Sequence, residues 1–227
     1  MGNLVRGLLA NAIQPFLLGR GMALASFPKD LPILRDAKLR EKMDLFRVGT
    51  LQYLRDEIYE NKVPGDIAEL GVYRGDFARY INVLFPDRKF YLFDTFEGFS
   101  EKDQQTERQK SFSAGKPGFQ STSVELVLSK LKHREQAIVK QGYFPESAAG
   151  VDARFAFVSL DPDLYEPTLA GLNYFVPRIN PGGFIFIHDY TNPEYKGARV
   201  AVQEFCKANG LRHVPIADGF GSTIIAV

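Results

Sequence analysis

The 227-residue chain lacks features that define several large classes of protein. Its single cysteine, Cys206, permits neither an intrachain disulfide nor a zinc site built from several thiolates. Lys and Arg total 28 against 27 for Asp and Glu, so the chain lacks the positive charge with which proteins bind nucleic acid or anionic membranes. We therefore expect neither nucleic acid nor a membrane as a partner.

Histidine is also scarce, with only His133, His188 and His213. A metal site would therefore consist mainly of carboxylates, which favour hard cations such as magnesium, calcium or manganese. The remaining composition is ordinary for a globular protein, 45% hydrophobic and 24% charged. The length suits one large domain, or a domain with a helical extension.

The N-terminal part contains no long apolar run. Residues 4–18 are too few to span a bilayer and are interrupted by a charged residue, two amides and a proline. Residues 23–25 resemble a signal-peptide cleavage site, but Arg6 is the only early positive charge, which is weak for such a signal. We interpret residues 1–62 as an N-terminal helical arm and lid, with a helix at 38–60, and expect a cytoplasmic homodimer that pairs through this arm.

From residue 63 onward, short apolar runs alternate with helical patterns. Runs such as residues 90–93 are apolar throughout, which is typical of strands covered on both faces in a parallel sheet. The predicted strands are Asp66–Leu70, Lys89–Phe93, Ala137–Lys140, Phe155–Leu160 and Gly183–Ile187, followed by a hairpin of Leu211–Ile216 and Ser222–Val227. This alternation predicts an α/β doubly wound sheet over residues 63–227.

Helices are predicted where apolar residues recur at i, i+3, i+4 and i+7, as in residues 77–84 and 124–131. The second pattern opens with Thr122 and Glu125 at the spacing of a capping box. Two further helices are expected at residues 167–178 and 195–208. The polar segment 97–120 is expected to be a mobile lid or a surface loop.

The first predicted strand leads into a glycine-containing turn. In open parallel sheets, ligands bind outside the carboxyl ends of the strands. Residues 69–75, Glu-Leu-Gly-Val-Tyr-Arg-Gly, contain Gly71 and Gly75, which let a ligand approach the backbone. The spacing is not the G-x-G-x-x-G of pyrophosphate binders. Glu69 would repel a pyrophosphate but tolerate a sulfonium or amino group, although an ordinary strand–helix turn would also account for the pattern.

The second and third strands end in residues that suit a nucleoside. Asp94 lies 23 residues after Gly71, and an acid there suits hydrogen bonding to the two hydroxyls of a ribose. The alternative is that Asp94 caps a helix. After the third strand, Gly142 permits close approach and Tyr143 offers an aromatic ring that could flank a purine. Together these positions indicate an adenosine-containing ligand.

Two acids and a histidine follow the fourth and fifth strands. Adjacent parallel strands would bring Asp161, His188 and Asp189 to one point at the sheet edge. The three side chains fit a hard divalent ion. They equally fit an acid–base cluster without a metal, in which a carboxylate is the general base. A purely structural pairing of His188 with Asp161 is the third interpretation.

Five segments of the chain occur in an order that resembles a known family. They are residues 69–75, Asp94-Thr95-Phe96-Glu97-Gly98-Phe99, Gly142-Tyr143-Phe144-Pro145-Glu146, Leu160-Asp161-Pro162-Asp163-Leu164-Tyr165-Glu166 and residues 182–190. The series resembles the macrocin O-methyltransferase (TylF/MycF/NovP-type) family of S-adenosylmethionine-dependent enzymes. The second and fourth segments are the most specific to it.

The resemblance implies a class I methyltransferase domain, a Rossmann-like doubly wound sheet of order 3-2-1-4-5-7-6 with its last strand antiparallel. It implies methyl transfer to a hydroxyl of a sugar-containing natural product or glycan precursor, with magnesium. Asp161, His188 and Asp189 become the catalytic residues and the metal ligands. The residues implied to bind S-adenosylmethionine are Glu69, Gly71, Tyr73, Gly75, Asp94, Thr95, Ser123, Gly142, Tyr143 and Asp161.

The chain departs from the family at one position. The antibiotic enzymes typically have two consecutive acids after the fifth strand, where this chain has His188-Asp189. Imidazole is a poor magnesium ligand, so the metal is open to question. The alternatives are a metal-independent methyltransferase acting on another small molecule with Asp161 or His188 as general base, and a non-catalytic adenosine-binding module. A nicotinamide-dependent enzyme is disfavoured, because its glycine motif and its Tyr-x-x-x-Lys are both missing.

Overall fold

The structure, a computed structural model, describes residues 44–227 and the isolated positions 13, 15–17, 19, 33 and 39. Most of the predicted N-terminal arm therefore lies outside the described residues, and its dimer contact stays a prediction. Helix α1 spans Leu45–Glu60, which confirms the helix predicted at 38–60 from Leu45 onward. Asp44 begins it by accepting hydrogen bonds from the backbone nitrogens of Phe46 and Arg47.

Seven strands form one sheet in the order β3-β2-β1-β4-β5-β7-β6. Strands β1 to β5 pair in parallel, whereas β7 runs antiparallel to both β5 and β6. The predicted doubly wound sheet, its order and its terminal hairpin are therefore confirmed. The strands are β1 (Asp66–Leu70), β2 (Phe90–Asp94), β3 (Ala137–Gln141), β4 (Phe155–Leu160), β5 (Ile179–Ile187), β6 (Val214–Ile216) and β7 (Ser222–Ala226).

Helices cover both faces of the sheet, and this explains why its central strands are mostly apolar. All six residues of β4 are buried. On one face, Phe157 joins a core that includes Leu51 and Ile81, and on the other Val158 joins a core that includes Phe175. Within residues 61–227, the α-helices are α2 (Ala78–Leu84), α3 (Glu101–Gln109), α4 (Val124–Lys130), α5 (Tyr165–Phe175) and α6 (Lys196–Asn209). Among the described residues, no helix combines the length and apolarity that a bilayer crossing requires.

The predicted capping box before α4 was wrong by one residue. The hydroxyl oxygen of Ser123, not that of Thr122, caps the helix by accepting a hydrogen bond from the backbone nitrogen of Leu126 at 3.1 Å. Thr122 instead donates its hydroxyl hydrogen to the carbonyl of Tyr73, across the gap to the first turn. The hydrogen bond from Thr122 to Tyr73 therefore replaces the capping hydrogen bond that the sequence pattern predicted for Thr122.

The expectation for segment 97–120 was also incomplete, because helix α3 lies inside it. The helix has no apolar stripe, and its buried residues are polar. They are held by tertiary hydrogen bonds, in which Asp103 accepts from the hydroxyl of Tyr143 at 2.7 Å and Glu107 from the backbone nitrogen of Tyr165 at 2.9 Å. Apolar periodicity cannot reveal a helix that packs in this way.

Candidate active site

A cavity of about 420 Å³ opens at the carboxyl ends of β1, β2, β4 and β5. This is the edge at which ligands bind in open parallel sheets. All three residues assigned to catalysis line it: Asp161, His188 and Asp189. The cofactor-assigned residues that line it are Glu69, Gly71, Tyr73, Asp94, Thr95, Gly142, Tyr143 and Asp161.

Gly75 and Ser123 do not line this cavity, although the resemblance placed both at the cofactor. Gly75 faces helix α4, because a Cβ added there would lie 3.1 Å from Cγ1 of Val127. Ser123 caps the same helix. Both residues therefore contribute to the packing of α4 against the first turn, and their assignment to the cofactor stays a prediction.

Asp94 shapes the turn that follows β1. Its Oδ2 accepts hydrogen bonds from the backbone nitrogens of Val72 at 2.7 Å and Tyr73 at 2.8 Å. Its Oδ1 accepts from the backbone nitrogen of Phe96 at 2.7 Å. The interpretation of Asp94 as a helix cap is wrong, since the next helix begins at Glu101 and Ser100 caps it. The carboxylate instead ties the ends of two neighbouring strands together beside the cavity.

Gly71 lies at the closest approach of this turn to the neighbouring strand. Its φ is +84°, a conformation that glycine adopts readily and other residues avoid. A Cβ at this position would lie 2.2 Å from the carbonyl oxygen of Asp161. The glycine therefore lets the turn after β1 lie directly against the backbone of Asp161.

The acidic cluster forms because β4 and β5 end together. Leu160 pairs with Ile187 across the parallel ladder, so Asp161 and His188 are the next residues on neighbouring strands. Nδ1 of His188 lies 3.0 Å from Oδ1 of Asp161 and 2.9 Å from Oδ2 of Asp189. Candidate ligand atoms of the three residues lie within 4.8 Å of one another, so their predicted convergence is confirmed.

Arg47 completes the cluster, and sequence reasoning missed it. It reaches over from α1, and its Nη2 donates to Oδ2 of Asp161 at 2.9 Å. Its guanidinium carbon lies 3.7 Å from the ring centroid of Phe77. The two partners are 114 residues apart, and no motif spacing connects an arginine on an N-terminal helix with the end of the fourth strand.

The electrostatics of the cluster keep Asp161 ionised. Burial alone would raise its pKa, but His188 and Arg47 outweigh burial and hold the pKa well below its usual range. Burial lowers the pKa of His188, whereas the charge of Asp161 and the hydrogen bonds to both carboxylates raise it, to a net value of about 9. Burial and the nearby Asp189 and Asp161 raise the pKa of Asp163 well above its usual value.

Glu69 lies at the end of β1 and is 1% exposed. Burial, followed by the charges of Asp161 and Asp94, raises the pKa of its carboxyl well above the usual value, against the opposing effect of Arg47. Within the described residues, its Oε2 has no hydrogen-bond partner. A buried acceptor without a partner in the wall of a cavity is suited to a polar or cationic ligand group.

The sheet order and the cavity at its carboxyl edge define the fold of a class I methyltransferase. A model of the family Macrocin-O-methyltransferase (TylF) matches residues 42–219. The chain belongs to this family and is an S-adenosylmethionine-dependent O-methyltransferase.

Characterised relatives act on natural products. The chain is 30% identical over 191 residues to the 8-demethyl-8-(2,3-dimethoxy-alpha-L-rhamnosyl)-tetracenomycin-C 4'-O-methyltransferase of Streptomyces olivaceus, a match that covers 78% of this chain and 72% of the relative. It is 28% identical over 179 residues to the mycinamicin III 3''-O-methyltransferase of Micromonospora griseorubida, covering 73% of this chain and 69% of that one.

Solved structures share the fold. The O-methyltransferase NovP superposes with a TM-score of 0.66 at 20% identity, covering 80% of this chain and 79% of its own. The calicheamicin methyltransferase CalS11 superposes with a TM-score of 0.61 at 20% identity, covering 89% and 94%.

Proposed function

We propose that this enzyme transfers the methyl group of S-adenosylmethionine to a hydroxyl of a sugar-containing natural product or glycan precursor. The observation that carries the proposal is the continuity of one cavity from the turn beside Asp94 to the cluster at Asp161. A donor at the first end would place its sulfonium beside the second. The named activities of the two relatives, on a rhamnosyl-tetracenomycin and on mycinamicin III, support a glycosylated acceptor.

The contacts in the cavity support the cofactor roles that we propose. Oδ1 of Asp94 accepts one hydrogen bond and has acceptor capacity left for a ribose hydroxyl, since a carboxylate oxygen has two lone pairs. Gly142 and Tyr143, after β3, provide the opposite wall for the nucleoside. Glu69 is placed for the cationic end of the methionine moiety, since its buried carboxyl would gain an ionic partner.

The acceptor hydroxyl is proposed to lie against Asp161. Its oxygen attacks the methyl carbon as the carbon–sulfur bond breaks, and the electron pair of that bond goes to sulfur, giving S-adenosylhomocysteine. The hydroxyl proton passes to the carboxylate of Asp161. Orientation of the two reactants supplies about 7–11 kcal/mol, whereas a positioned base adds about 10²–10⁴-fold, so positioning contributes the larger share.

Magnesium, the expected helper of this reaction, finds a poor donor set among these residues. Nδ1 of His188 faces two carboxylates and so carries a hydrogen, because ionised carboxylates only accept. Oδ2 of Asp161 already accepts from Arg47, and Oδ1 of Asp189 accepts from Asn192 at 2.7 Å. Magnesium requires near-octahedral oxygen ligands. These contacts favour the metal-independent alternative.

The test is methyl transfer from isotopically labelled S-adenosylmethionine to a panel of acceptors, read by mass spectrometry. The panel would include rhamnosylated polyketides, macrolide glycosides and nucleotide-activated deoxysugars, with a simple catechol as the non-sugar comparison. We expect transfer to a sugar hydroxyl. Transfer to the catechol alone, or to nothing in the panel despite cofactor binding, would contradict the proposed acceptor class.

Substitution of the acids tests the assigned roles. Asp161→Ala and Asp189→Ala are each expected to retain S-adenosylmethionine binding and to lose turnover by about 10²-fold or more, the contribution of a positioned base. The matched control is the exposed acid Asp152, whose change to Ala should leave turnover unaffected. Full turnover in either cluster variant would overturn the assignment.

A further inference from the structure

Three contacts, with Asp44, Phe77 and Asp161, fix the position of Arg47. Its backbone nitrogen is capped by Asp44, and its guanidinium lies over the ring of Phe77. That ring packs edge-on against Phe186 of β5, with centroids 6.1 Å apart. Arg47 as a whole is 9% exposed, and its Nη2 reaches Asp161. Holding a long side chain in one conformation costs entropy, and the contact with Asp161 must offset that cost.

The contact of Arg47 is with an acid predicted to hold a metal. A guanidinium is permanently charged and has donors but no acceptor, so it cannot ligate a cation. Beside Asp161 it would repel a divalent ion at short range. His188, at the position where related enzymes are expected to supply a second acid, places its Nδ1 between Asp161 and Asp189. The cluster thus places nitrogen donors beside the carboxylate oxygens that a magnesium ion would require as ligands.

We propose that Arg47 takes the place of a divalent metal in this enzyme, fixing the Asp161 carboxylate for the acceptor hydroxyl so that methyl transfer requires no metal ion. Arg47 is then a positioning residue, which acts through Asp161. The inference rests on the proposed methyl transfer. It also predicts that the wild-type cavity binds no divalent metal ion, and this can be measured without an assay of turnover.

The first measurement is metal binding itself, by electron paramagnetic resonance of added Mn²⁺. The wild-type protein is expected to bind no Mn²⁺ in the cavity. The double variant Arg47→Met, His188→Glu removes the guanidinium, adds a second carboxylate and is expected to bind the ion. Specific Mn²⁺ binding by the wild-type protein, or none by the folded double variant, would overturn the proposal.

The second measurement is turnover after treatment with EDTA. Wild-type turnover should be unchanged by the chelator and by added Mg²⁺. Arg47→Met should lower kcat by about tenfold or more, as expected for loss of a hydrogen bond between charged groups, with the Kd for S-adenosylmethionine unchanged. Arg47→Lys, which keeps the charge, should restore part of the loss. The matched control is Arg55→Met on the same helix, because Arg55 pairs with Asp56 and should not affect kcat.

The outcomes separate this inference from the proposed function. Turnover that EDTA abolishes and Mg²⁺ restores would refute the role of Arg47 and leave the methyltransferase assignment intact. Failure to bind S-adenosylmethionine would refute the methyltransferase assignment, while the Mn²⁺ measurement would still decide the nature of the cluster. If Arg47→Met does not fold, as judged by circular dichroism, the wild-type and Arg47→Lys measurements decide it.

Discussion

At the scale of single residues, Asp94 holds the end of β2 against the turn that follows β1. Three backbone nitrogens donate to it, two of them from the turn after β1. Asp94→Ala should lower the affinity for S-adenosylhomocysteine by about tenfold or more, because hydrogen bonds to a charged group contribute about 1.5–3 kcal/mol each. Isothermal titration calorimetry measures the change. The control is the exposed Glu97→Ala, and equal affinity in both variants would show that Asp94 does not hold the cofactor.

Glu69 makes stability depend on pH in a stated direction. Burial, with the charges of Asp161 and Asp94, raises its pKa in the folded protein. A raised carboxyl pKa means that the folded state holds the proton more tightly, so stability is lost as the pH rises from the unfolded pKa through the folded one. Glu69→Gln removes this loss. The free energy of unfolding of the variant, relative to that of wild type, should therefore increase as the pH rises from about 4 to about 7.5, because only wild type carries the cost of ionising Glu69.

Urea unfolding of the cofactor-free protein at several pH values provides the comparison for Glu69. Asp152→Asn, at an exposed position, is the matched control and should show no such trend. A difference between Glu69→Gln and wild type that stays constant over this pH range would contradict the account, because a simple change of packing has no pH dependence.

At the scale of elements, the turn between β1 and α2 depends on a glycine for two reasons that can be separated. Gly71 and Gly150 both have positive φ, +84° and +73°, but only at Gly71 would a Cβ meet other atoms. Gly150→Ala should cost about 1–2 kcal/mol, the penalty for a left-handed conformation. Gly71→Ala should cost more, because a Cβ would overlap the backbone of Asp161. Equal losses in urea unfolding would show that close approach is unimportant.

The elements also show how far sequence reasoning reaches. The apolar runs of β2 and β4 identify buried parallel strands, because burial on both faces leaves a direct mark on composition. The sequence of helix α3 has no such apolar pattern, because its buried residues Asp103 and Glu107 are held by hydrogen bonds. The capping residue of α4 was misplaced because Thr122 bonds to a distant carbonyl.

The same limit applies to the site. Asp94, Asp161 and Asp189 were predictable, because each lies within two residues of the end of a predicted strand and the carboxyl ends of parallel strands converge at one edge of the sheet. Arg47 was not, since its position follows from how α1 packs across the sheet edge. Ser123 and Gly75 were assigned to the cofactor through the resemblance; in the structure Ser123 caps α4 and Gly75 lies against it, and their cofactor roles stay predictions.

At the scale of the whole molecule, an aromatic cluster joins α5 to the sheet behind the cavity. Phe175 packs against Phe93, Phe144 and Phe155, with ring centroids 5.3 to 5.7 Å apart. Phe175→Ala should cost about 3–5 kcal/mol of unfolding free energy, as large-to-small changes in a core do. Tyr53, 52% exposed on α1, is the control, and its change to Ala should cost little. Similar losses in the two variants would contradict this packing.

The methyltransferase assignment depends most directly on cofactor binding, and one calorimetric titration tests it. S-Adenosylhomocysteine should bind the wild-type protein at one site per chain, whereas NAD should not bind, since the turn after β1 lacks the G-x-G-x-x-G spacing. The same titration should give the same affinity with Mg²⁺ or with EDTA. Absence of binding at about 1 mM S-adenosylhomocysteine, a free energy weaker than about −4 kcal/mol, would contradict the account.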